Sequence, residues 1–171
     1  MFVAKELRKK SISEYLLYMW QVEDIIRAFG CSLPAIEKNY ISKFDYTDEQ
    51  KEEETDWYGN LVRMMNAEGK REQGHLQINQ VVMDDLVDLH KRLLDSNRYP
   101  FYSAEYYKVL PFIVEIRSKN KRAEAKMKEE GSTEAPLIEA NENESEIETC
   151  FDVLYGIMLL RLQKKPITPE T

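Results

Sequence analysis

The stretch Ser11-Ile12-Ser13-Glu14-Tyr15-Leu16-Leu17-Tyr18-Met19-Trp20-Gln21-Val22-Glu23-Asp24-Ile25-Ile26-Arg27-Ala28-Phe29-Gly30 decides the fold class. Ser11 and Glu14 form a capping box, in which a hydroxyl and a carboxylate three residues apart satisfy backbone amides that a helix start leaves free. Ile12, Tyr15, Leu16, Met19, Val22, Ile26 and Phe29 follow at helical spacing, and Gly30 supplies the stop. A helix with one apolar face has to bury it against other elements.

The same pattern recurs downstream. Ser32-Leu33-Pro34 restarts a shorter helix carrying Ile36, Tyr40, Ile41 and Phe44. Thr47-Asp48-Glu49-Gln50 is a second capping box, opening a helix with Trp57, Leu61, Met64 and Met65 that ends at Gly69. After a turn over Lys70 to Gly74, a helix from about His75 presents Ile78, Val82, Leu86, Leu89 and Leu93. Ser103 opens a segment with Tyr106, Val109, Leu110, Ile113 and Ile116, in which Pro111 predicts a kink or the first turn of a second piece. Charged helix formers continue from Arg117 to Glu130, and residues 131–144 read as a flexible loop. Ser145-Glu146-Ile147-Glu148 is a third capping box, and its helix carries Cys150, Phe151, Leu154, Met158 and Leu162 until Pro166 stops it. These segments predict an all-α fold, a single-domain bundle of about six helices with no strand. Thr168-Pro169-Glu170 is a further helix-start signal, either incidental or the opening of a C-terminal helix that the sequence does not complete.

The 171 residues suit one domain able to bury a core without disulfides or a structural metal. Two cysteines fit a reduced compartment. A net charge of −7 and a pI of about 5.1 disfavour nucleic acid as a partner. No apolar run approaches the roughly 20 residues of a membrane span. The charged start from Met1 to Lys10 is followed by no apolar signal region, so the expected location is the cytoplasm.

Projected at about 100° per residue, Glu23, His90, Arg117 and Arg161 fall on apolar helix faces, and Glu68 lies beside Trp57, Leu61 and Met64 at a helix end open to solvent. Buried charge is costly unless paired, so Glu23 is expected to meet Arg161, Arg117 or His90 in an inward polar layer. The simpler reading is a structural layer that fixes helix register. The sharper one is a pocket for an anion or small polar ligand, clamped by Arg117 and Arg161.

Motifs that carry chemistry are few. Glu72-Gln73-Gly74-His75 has metal-ligand spacing but straddles a turn, and Val87 stands where a second copy before His90 would need its Glu, so no metal and no cofactor are expected. Gly69 to Gly74 has the glycine spacing of a phosphate loop, yet His75-Leu76 replaces the required Lys and Ser/Thr. What survives is a weak anion site of Lys70, Arg71 and His75 beside a helix start. The basic run from Arg117 to Lys128 has no interleaved aromatics of the kind nucleic-acid grooves use. No catalytic residue is assigned.

Four segments carry a resemblance: Glu14 to Asp24, Gly74 to Asn79, Leu110 to Glu115, and Glu148 to Phe151 with Leu159 to Lys165. They resemble a bacterial family of helical proteins defined only as a domain of unknown function. The resemblance implies no activity, ligand or partner. It does imply a chain that continues past Thr171, and it sets Lys119 to Asn143 apart as an insertion.

Two functions are expected from these features. The first is a non-catalytic helical module acting through protein contacts or self-association, suggested by surplus aromatic and Met residues such as Trp20, Trp57, Tyr58 and Met65. The second is a small-molecule or anion-binding bundle, or an enzyme, built on the polar layer.

Overall fold

The structure is a computed structural model that describes residues 1–130 and 144–167, with side chains described outside 123–130. Among the described residues it contains seven α-helices and no strand: α1 (Phe2–Lys10), α2 (Ile12–Ala28), α3 (Leu33–Asn39), α4 (Asp48–Ala67), α5 (Gln77–Leu94), α6 (Pro100–Glu130) and α7 (Glu146–Leu162). A short 3-10 turn, Ile41–Lys43, follows α3. The all-α expectation holds, and α1 is the helix beyond the expected six. No capping side chain opens it, but Arg8, Lys9 and Lys10 in its last turn suit the negative helix end. Extended backbone at Ser11 then separates it from α2.

All three capping hydroxyls accept as read from the sequence. Ser11 takes the Glu14 amide, Thr47 the Gln50 amide and Ser145 the Glu148 amide, and the last two boxes close reciprocally. α6 is one continuous helix through Pro111, so the new start that the sequence allowed there is not made. Proline removes the amide that would serve the Tyr107 carbonyl. Pro111 and Tyr107 are both exposed, so water can serve that carbonyl instead. The expected loop at 131–144 and the Thr168-Pro169-Glu170 signal fall wholly or almost wholly outside the described residues.

The chain divides into two compact units, Met1–Met83 and Asp84–Thr171, with the boundary inside α5. The first unit has the denser interior. Met19, Val22, Ile26, Ile36, Ile41, Tyr58, Leu61, Met65 and Leu76 form its core, contributed by α2, α3, the 3-10 turn, α4 and the start of α5. In the second unit Ile113 and Phe151 are buried, and α6 and α7 pack together.

Candidate functional site

Two polar centres stand out, one in each unit. In the first, Glu23 on α2 is fully buried, as its place on the apolar arc of the helix requires. Its partners come from the segment that follows α4. Oε1 accepts the Leu76 amide at 3.0 Å and the Asn79 side-chain amide at 2.6 Å. Oε2 lies 2.6 Å from His75 Nδ1, and an ionised carboxylate can only accept, so the ring presents its Nδ1–H there. Arg27, one turn along α2, approaches Oε2 at 4.0 Å. The His75 ring stacks on Trp20, centroids 4.1 Å apart and 12° from parallel.

Arg27 also ties down the turn. It donates to the backbone carbonyls of Lys70, at 3.3 Å, and Gly74, and pairs with Asp24 at 2.8 Å. Gly74 has φ +78°, a left-handed backbone conformation that glycine adopts without strain.

The expected partners of Glu23 are therefore corrected. It is satisfied within its own unit by His75, Leu76 and Asn79, not by His90, Arg117 or Arg161. A helical wheel gives the direction of a side chain but not the element that arrives opposite it. Here that element is the start of α5, whose free amides offer a carboxylate what an arginine was expected to offer.

The same geometry revises the Lys70, Arg71 and His75 anion site. The positive end of α5 is already served by two of the protein's own carboxylates, Glu23 and Glu68, the latter accepting the Gln77 amide at 2.7 Å. Arg71 donates to Asn66 Oδ1 at 3.1 Å and to the Gly30 carbonyl at 3.3 Å. Lys70 and Arg71 thus shape the turn, and His75 joins Glu23.

The second centre lies among α5, α6 and α7 in the second unit. His90 is buried, as expected, with its Nδ1 2.7 Å from the Tyr102 hydroxyl and its ring edge-on to Tyr102 and Tyr106. His90, Tyr102, Glu105, Tyr106, Val109, Ile113, Glu146, Ile147 and Cys150 line an open cleft of about 190 Å³. Burial holds His90 below its ordinary 6.5, partly opposed by Glu146, and pushes the Tyr102, Tyr106 and Cys150 groups up. Near neutral pH the histidine, phenols and thiol of the cleft are therefore uncharged.

Arg117 is half-buried and has a defined task. It donates to Thr149 Oγ1 at 2.9 Å and to the Glu144 carbonyl at 2.5 Å, pinning the start of α7. Arg161 does not share this environment. It is exposed in the last turn of α7, where a cation faces the negative helix end, and this corrects its expected place in a buried layer. The four residues of the expected layer thus have separate settings: Glu23 in the first unit, His90 in the cleft, Arg117 at the start of α7, and Arg161 in solvent.

Sequence reading missed Arg27 and Asn79. A signal for Arg27 was its position four residues after a buried acid, within reach on one helix face. Among the described residues no group of three or more His, Cys, Asp or Glu is placed to hold a metal ion, and no helix is long and apolar enough to cross a membrane.

Comparison with known proteins adds an identity but no chemistry. No curated protein and no solved structure matches the chain. One family model matches residues 1–171, and the chain belongs to that family, the domain of unknown function DUF4924.

Proposed function

We propose that this protein is a non-catalytic cytoplasmic helical module that works through protein contacts, in the first place with a second copy of itself. The carrying observation is the set of large apolar side chains exposed along α6. Phe101 is 86% exposed and Phe112 64%, with Tyr107 and Val114 close behind. Phe101 and Phe112, eleven residues apart, share one side of the helix, while Tyr107 and Val114, seven apart, share another. Exposed aromatic side chains are the anchors that contact sites use. Every copy carries the same exposed aromatic side chains, so an isologous pair needs no other component.

Light scattering on a dilution series of the purified chain tests the proposal. The expected result is a mass rising from the monomer's 20.2 kDa toward twice that value with concentration, abolished by Phe112→Glu. A strictly monomeric wild type, or a Phe112→Glu variant that associates as well as wild type, contradicts self-association.

A further inference from the structure

The cleft of the second unit has a chemistry of its own, independent of the contact surface of α6. Its walls are apolar and aromatic: Tyr102, Tyr106, Val109, Ile113 and Ile147. The acids that line it are Glu105 and Glu146, and among the described residues no Lys or Arg does. Glu105 is paired outward with Lys108 at 2.6 Å, both side chains well exposed. Glu146 is different. It is half-buried in the first turn of α7, and its charge acts on His90, Tyr106 and Cys150. It forms no ion pair with a described residue. Arg117 also lies near Tyr106 and Cys150, but its guanidinium is held by Thr149 and the Glu144 carbonyl and is not part of the lining.

We propose that this cleft binds small organic cations, a primary ammonium carried on an apolar or aromatic body. The body packs between Tyr106, Val109, Ile113 and Ile147, and the ammonium reaches the Glu146 carboxylate with the Tyr faces beside it. Each part follows from the residues present. Apolar walls favour an apolar body. The faces of Tyr rings attract a cation. A half-buried carboxylate gains more from a charged donor than an exposed one does. An anion of the same shape meets the Glu146 carboxylate in place of a partner, with Arg117 committed to Thr149 and the Glu144 carbonyl. At about 190 Å³ the cleft falls below the roughly 300–1,000 Å³ of drug-sized sites, so the ligand is a fragment-sized amine and binding is weak.

The test is an NMR titration of the full chain, at constant ionic strength, with phenethylammonium chloride, phenethyl alcohol and sodium phenylacetate. The expected result is that phenethylammonium shifts the Ile113 and Ile147 methyl signals and binds about tenfold more tightly than the alcohol. Phenylacetate leaves those signals unmoved. Glu146→Gln brings the ammonium down to the affinity of the alcohol. The comparison of three probes on the wild type decides the matter even where that variant fails to fold. Equal affinity for ammonium and alcohol, binding of phenylacetate, shifts confined to residues outside the cleft, or no binding at millimolar concentration would each overturn the proposal.

Discussion

Glu23 joins two parts of the first unit through one carboxylate. It receives two amide donors and an imidazole N–H while excluded from water, so removing it strands all three. Glu23→Ala is expected to cost about 3 kcal/mol in urea unfolding. His75→Ala, whose ring is partly exposed, costs about 1–2 kcal/mol. A double-mutant cycle should return a coupling of about 1 kcal/mol or more between them. Additive effects would mean that the 2.6 Å contact contributes nothing. His90 gives a pH dependence. Its folded pKa is depressed, so the unfolded chain binds the proton more readily. The stability associated with neutral His90 is full above about pH 6.5 and is lost as pH falls through the lower folded value. An imidazole titration by NMR should place the midpoint of His90 below 6.5, and His90→Gln should flatten the fall of Tm in that window. The burial of Glu23 and His90 was legible from helical projection alone. Their partners were not, because periodicity fixes the direction of a side chain and says nothing about which segment folds over it.

At the scale of elements, local chemistry carried most of the information. The hydroxyls of Ser11, Thr47 and Ser145 each accept where the capping pattern placed them. Ser145→Ala should therefore destabilise the chain by about 1 kcal/mol, read as a lowered urea midpoint at unchanged slope. α1 escaped notice because no capping side chain opens it, and Ala4 is its one buried residue. A new start in α6 was allowed for because proline breaks helices in most settings. An exposed Pro111 whose orphaned carbonyl faces water is tolerated at a cost, so Pro111→Ala should stabilise the protein by about 1–3 kcal/mol. An unchanged or lower urea midpoint would show that α6 gains nothing from a continuous hydrogen-bond ladder.

At the scale of the whole molecule, the division at Met83 was not legible. It falls inside α5, where no glycine, proline or shift in composition marks it. Nor was the contrast between the units. The first encloses a continuous core, while α6 leaves Phe101, Tyr107, Phe112 and Val114 outside. Apolar residues on a helix read as core in a sequence, and only the packing shows which of them stay at the surface. That surface is the basis of the functional proposal, and site-specific photocrosslinking of the purified chain tests it most directly. Benzoylphenylalanine is placed at Phe112 and, as a control, at exposed Glu53 on α4. The account predicts a covalent dimer of about twice 20.2 kDa from position 112, with the crosslink mapping to α6 of the second copy, and none from position 53. No dimer from position 112, or equal yields from both positions, would contradict it.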